Sequence, residues 1–197
     1  MFRPKQWIVG AMMWGALLTT VPIASSVSAQ MPDLEAMQAE QQAAMERFAF
    51  MDGEWRGTAI STGQMGEVEL TQTERVGTMA GGVARIIEGR GYGADGSLEF
   101  NAVAMITYDA TADEYVMTST ARGMTARPWF KVTEDGFHWG VESGPMTFTY
   151  EAVVQNGTWV EIGYMQFGDQ PRTKFLEMNL QRIGDTSWPA DGAVGPE

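Results

Sequence analysis

The sequence predicts a mainly β domain: a ten-stranded antiparallel up-and-down β-barrel preceded by one amphipathic helix. Three observations carry this reading. Beyond Gly53 the residue usage shifts to Gly, Thr, Val, Tyr, Trp and Phe, the types that fit a pleated, half-buried surface. Turn signals recur about every eight to twelve residues, the spacing of a sandwich or barrel. The connections Ala94-Asp95-Gly96, Glu134-Asp135-Gly136, Gln155-Asn156-Gly157 and Gly168-Asp169-Gln170 suit tight hairpins that need positive φ. Neighbouring strands can then all pair antiparallel, and such a meander removes its exposed edges by closing.

The first element is a targeting segment. Met1 to Gln6 carry Arg3 and Lys5 and no acid, an apolar run extends from Trp7 to Leu18, Pro22 breaks it, and Val27-Ser28-Ala29 supplies small residues for cleavage. The apolar run falls short of the roughly 20 residues that span a bilayer. Residues 1–29 therefore read as a Sec-type signal peptide cleaved after Ala29, and the protein as periplasmic or secreted. No second run of spanning length follows, so no membrane span is expected after cleavage.

Composition narrows the partners. The 197 residues hold 13 Lys and Arg against 25 Asp and Glu, a net charge of −12, and removal of Arg3 and Lys5 makes the remainder more acidic still. Such a surface repels nucleic acid and anionic lipid. The chain has no cysteine, which excludes disulfides and a cysteine-linked lipid anchor, and points to a bacterial compartment rather than eukaryotic secretion. The oligomeric state is not legible.

Residues 30–50 form the N-terminal helical segment. Within it Pro32–Phe48 is rich in Ala, Glu, Gln and Met, with Leu34, Met37, Gln41, Ala44, Met45 and Phe48 at helical spacing. The barrel domain is expected over 51–183, with strands near Glu54–Thr62, Glu67–Val76, Val83–Arg90, Leu98–Tyr108, Glu114–Ala121, Ala126–Val132, Phe137–Glu142, Pro145–Val154, Trp159–Phe167 and Arg172–Ile183. Strand alternation puts Leu98, Phe100, Ala102, Ala104, Ile106 and Tyr108 inside from the fourth strand. Met146, Phe148 and Tyr150 do so from the eighth, and Leu176, Met178 and Leu180 from the tenth. The tail 184–197, with two Pro and three Gly, is expected to be disordered.

Gly53-Glu54-Trp55 opening the first strand after a short helix, with Leu180-Gln181-Arg182 closing the last, resembles the calycin (lipocalin-like) superfamily. The resemblance implies that Trp55 sits at the closed end with Arg182 packed across its ring. Arg can stack on an indole while donating to nearby carbonyls, so the pair would clasp the first strand to the last. More closely, Phe48–Arg182 resembles the uncharacterised bacterial domain-of-unknown-function 1579 family of secreted β-barrel proteins. That likeness rests on Gly53-Glu54-Trp55-Arg56-Gly57, Thr73-Glu74-Arg75, Gly81-Gly82, Ile106-Thr107-Tyr108-Asp109 with Tyr115, and the Asp135-Gly136 and Asn156-Gly157 turns. It implies a fold and no activity. Nitrobindin-like barrels, which bind haem through a histidine near their C-terminal strands, are a more distant resemblance; the single histidine, His138, lies in the seventh strand on the face opposite Phe137 and Trp139, which disfavours haem.

No catalytic residue is assigned. There is no Cys, no Gly-x-Ser-x-Gly elbow, no phosphate loop and one His, and one His without Cys cannot complete a zinc site. No cofactor is expected, and the 15 Met, which form no tight Met-x-x-Met array, read as flexible core filling. The candidate ligand contacts are Glu74, Arg85, Tyr108, Trp139 and Tyr150. Glu74 shares a face with Leu70, Gln72 and Val76; if that face is interior, its charge needs a partner such as Arg85, and the pair either orients a polar head group or is an internal salt bridge. Ala102 and Ala104 leave interior room. The first functional reading is a barrel binding a small hydrophobic or amphipathic ligand. A non-catalytic interaction protein, whose helix presents Met37, Met45 and Phe48, is the second, and an enzyme on a small substrate the third.

Overall fold

The computed structural model describes residues 33–63 and 66–196; the expected signal peptide over 1–29 lies outside them. Helix α1 spans Leu34–Glu46. It starts where Asp33 accepts a hydrogen bond from the Ala36 N–H at 3.1 Å, satisfying one of the free amides of the first turn, and it is followed by a short 3₁₀ turn, Ala49–Met51. Among the described residues no helix is long and apolar enough to cross a membrane.

Eleven strands follow: β1 Gly53–Gly63, β2 Gly66–Met79, β3 Ala84–Tyr92, β4 Leu98–Asp109, β5 Glu114–Ala121, β6 Met124–Ala126, β7 Trp129–Val132, β8 Gly136–Ser143, β9 Met146–Gln155, β10 Thr158–Phe167 and β11 Thr173–Gly184. They form one antiparallel sheet in the order β6-β5-β4-β3-β2-β1-β11-β10-β9-β8-β7. Each strand pairs with its chain neighbour, except that β1 also pairs with β11 and β6 does not pair with β7. The curled sheet is a half-barrel, not the closed ten-stranded barrel expected from the turn spacing.

The physical reason for both departures is Pro128. The strand expected over Ala126–Val132 is broken at Arg127-Pro128 into β6 and β7, which sit at opposite edges of the sheet. Proline has no N–H to give a ladder and disfavours a continuing strand interior. The seam therefore falls at the place where the chain passes from one edge to the other. Asn156 and Gly157 both take positive φ, 53° and 73°, in the two-residue connection from β9 to β10, and Gly96 and Gly168 do so in theirs, whereas none of Glu134, Asp135 and Gly136 does, contrary to expectation.

Helix α1 closes one end. Met45, Phe48 and Met51 are fully buried among Trp55, Ile106, Phe130 and Leu180, each large side chain contributing about 1.5–3 kcal/mol by leaving water. Phe48 meets Tyr115 edge-on with centroids 4.9 Å apart, and the Tyr115 hydroxyl donates to the Ala44 carbonyl at 2.9 Å. Gln41 Nε2 donates to the Tyr108 carbonyl at 3.2 Å. The apolar side chains that an interaction helix would present, Met45 and Phe48, are thus consumed as a cap, while Met37 stays exposed.

The tail over 184–196 runs back against β2. Arg75 stacks over the Trp188 ring at 4.4 Å, and the Trp188 carbonyl lies over Gly77, where a Cβ would come within 1.8 Å of it.

Candidate ligand-binding cavity

Above the helical cap the half-barrel encloses a cavity of about 590 Å³, within the range of small-molecule sites. One wall is made of small residues on β1, β3, β4 and β5: Ala59, Gly89, Ala102, Ala104 and Ser119. The other is aromatic, with Phe137 and Trp139 from β8, Tyr150 from β9, Trp159 from β10 and Phe175 from β11. Ile87, Phe100 and Met117 stand among those small residues, and the space that remains lies over the Gly89, Ala102 and Ala104 positions between them. At the end away from α1, Val68, Leu98 and Met124 are exposed.

Two carboxyl groups face the cavity. Glu74 lines it from β2, accepting a hydrogen bond from Gln72 Nε2 at 2.7 Å. Burial pushes its pKa from 4.5 up to about 8, with the nearby carboxyls of Glu161 and Glu88 adding to the rise and the Gln72 bond opposing it. Glu161 lines it from β10, each oxygen held by an indole: Trp139 Nε1 donates at 3.1 Å and Trp159 Nε1 at 3.2 Å. Burial pushes Glu161 up to about 7, against the lowering effect of those two donors. Tyr150 stacks flat on Trp139, centroids 3.8 Å apart and planes 3° from parallel, and burial followed by the Glu161 charge raises its hydroxyl to about 12.

Of the five residues expected to contact a ligand, the structure brings three together on the cavity wall: Glu74, Trp139 and Tyr150. Arg85 and Tyr108 belong elsewhere. Arg85 is inward-facing and 1% exposed, but its partner is Asp52, not Glu74. Its Nε and Nη2 donate to the two Asp52 carboxylate oxygens at 2.7 and 2.8 Å, and Nη1 donates to the Met45 carbonyl. That fork ties β3 to the last turn of α1, where the Met45 carbonyl also accepts the Phe48 N–H at 3.1 Å and a cation is favoured by the helix C-terminus. Tyr108 lies beside the helix, its hydroxyl donating to Asp113 at 2.6 Å; that bond above all raises it to about 12.

The expected clasp is altered in form. Trp55 is 1% exposed and pairs with Arg182 across β1 and β11. Its ring, however, meets Trp159 edge-on at 5.8 Å and its Nε1 donates to the Met51 carbonyl at 2.8 Å. Arg182 stacks on no ring among the described residues; Nε and Nη2 donate to the Asp52 carbonyl at 3.2 and 3.0 Å. The last strand is therefore tied to the entrance of the first by side-chain hydrogen bonds to a main-chain carbonyl rather than by stacking. His138 occupies the outward series of β8, in register with Lys131 and Glu151.

Glu161 and Trp159 escaped the sequence reading. In β10 Val160, Ile162 and Tyr164 alternate with Trp159, Glu161 and Gly163, so periodicity alone favours the wrong face. The pairing of Glu161 with Met178 and Ala152, both inward, settles it.

No family model matches the chain, and no curated protein matches its sequence. Among solved structures, that of Rv2717c from M. tuberculosis superposes with a TM-score of 0.55 at 11% identity, over 71% of this chain and 97% of that one. The fold is β-barrel-like. At that identity the likeness carries architecture alone.

Proposed function

We propose that this is an exported, non-catalytic, calycin-like protein that holds a small hydrophobic or amphipathic molecule in the cavity of its half-barrel. The observation that carries the reading is the cavity of about 590 Å³ between an aromatic wall and a wall where Ala, Gly and Ser alternate with Ile87, Phe100 and Met117. An interior meant only as core would be expected to fill to crystal-like density, and here Ala102, Ala104 and Gly89 stand where larger residues would have closed it. Trp139, Tyr150 and Phe175 supply apolar contact, and Gln72, Glu74 and Glu161 the few convergent polar groups of a ligand site. The basic, apolar and small-residue succession over residues 1–29 supports a periplasmic or secreted setting, and the Gly53-Glu54-Trp55 opening with the late Arg182 supports kinship with calycins.

Native mass spectrometry of residues 30–197 purified from its own cell envelope, before and after denaturation, tests this. A reproducible extra mass released on denaturation supports the binding role. A bare protein mass, together with failure to take up any apolar probe, contradicts it.

A further inference from the structure

The charge of the cavity is unbalanced. Among the described residues its titratable lining consists of Glu74, Glu161, Tyr150 and Arg122, and the basic member, Arg122, is solvent-exposed with its guanidinium 5.6 Å from the Phe100 ring. The other inward arginine, Arg85, is matched by Asp52. Both cavity carboxyls are held by neutral donors only, an amide for Glu74 and two indoles for Glu161. Gly89 makes room for the first: a Cβ there would stand 2.7 Å from Glu74 Oε1. Two inward carboxyls placed by dedicated neighbours, without a cation, are costly for folding alone. Aromatic rings beside them favour positive charge through their quadrupoles.

Resting on the cavity being a ligand site, we propose that its ligand is a protonated amine on an apolar body, the ammonium held by Glu74 and Glu161 and the apolar part by the Phe137, Trp139 and Trp159 side of the wall. Neutral or anionic amphiphiles of the same size leave the carboxyls unmatched and bind more weakly. The raised pKa values of both acids add a signature. A bound cation favours their ionised forms, so uptake of the amine near neutral pH expels protons, whereas uptake of a neutral molecule does not.

The test is calorimetric titration of the protein near pH 7.5 with phenylbutylamine, phenylbutanol and phenylbutyrate, in two buffers of different ionisation enthalpy. The expected result is binding of the amine at least about tenfold tighter than of the alcohol, with proton release, and no binding of the carboxylate; tenfold corresponds to one factor of ten in Kd. The double variant Glu74→Gln/Glu161→Gln should lose the amine preference and the proton release while still binding the alcohol. Equal binding of amine and alcohol, or a preference that survives in the double variant, overturns the charge assignment and leaves the cavity reading standing. Binding of none of the three overturns both. Should the double variant fail to fold, the proton release by the unaltered protein decides the matter alone.

Discussion

Glu74 on β2 and Gly89 on β3 are direct cross-strand partners, and the carboxyl group of the first occupies the space above the second. A Cβ at position 89 would lie 2.7 and 2.9 Å from the two carboxyl oxygens. The clash is with the end of a flexible side chain, so Gly89→Ala should cost stability little, within about 1 kcal/mol. It should nonetheless swing the carboxyl away from Gln72 and change the titration of Glu74. Carboxyl carbon shifts followed by NMR across pH would register the move; an unaltered Glu74 titration in the variant would show that Gly89 does not set the carboxyl position.

Two inward acids, the half-buried Glu74 and the buried Glu161, make stability depend on pH with a definite sign. Folding raises Glu74 from 4.5 to about 8 and Glu161 from 4.5 to about 7. Between those limits the folded protein holds protons that the unfolded chain has released, so stability declines as pH rises. Below about pH 4.5 neither group contributes, and above about pH 8 the full penalty, on the order of a few kcal/mol, is in force. Urea unfolding of the ligand-free protein should therefore show falling stability from pH 5 to pH 8. Glu74→Gln and Glu161→Gln should each flatten that decline, and a wild-type profile already flat there would contradict the burial of both carboxyls.

Arg85 stabilises the cap rather than a ligand. Replacing it with Met removes the fork on Asp52 and the bond to the Met45 carbonyl, but the Asp52 carboxylate left behind keeps partial exposure and can be hydrated; the expected loss is about 1–3 kcal/mol. Asp52→Asn instead leaves the Arg85 guanidinium, 1% exposed, without its counter-charge and should cost more, about 3–5 kcal/mol. A double-mutant cycle measured by urea unfolding should return a coupling of at least about 1 kcal/mol, and additivity of the two changes would show the pair to be incidental.

Phe48 is the centre of the cap, packed against Tyr115, Phe50 and Phe130. Phe48→Ala should destabilise by about 3–5 kcal/mol, and deletion of residues 33–48 should abolish folding. A truncated protein that kept its near-ultraviolet circular dichroism would return the helix to the role of an interaction surface.

Which parts of this were legible in the sequence follows from what each residue's neighbours decide. The inward series Phe100, Ala102, Ala104 and Ile106, and Leu176, Met178 and Leu180, were readable because alternation is clear there and one face is buried. The helix was readable from composition and spacing. Closure was not: Pro128 is a local signal, but whether the interrupted strand bridges the seam or splits across it depends on how far the sheet curls. The cavity was half legible. Ala102 and Ala104 announced room, whereas Glu161 sits in a strand whose apolar alternation points to the other face, and only its cross-strand partners turn it inward. The true partner of Arg85, Asp52, is not legible because it lies in the link between helix and β1, a position no strand periodicity describes.

An open half-barrel interior built to receive a small molecule should lose its ligand when the space is filled. Ala102 and Ala104 line the small-residue wall, and Ala102→Phe and Ala104→Phe place a ring in the cavity. Fluorescence titration with the neutral apolar probe N-phenylnaphthylamine should show saturable binding by the wild-type protein and none by either filled variant, with all three melting within a few degrees of one another. Saturable binding that persists undiminished in both folded variants, or no saturable binding by the wild type, would contradict the account.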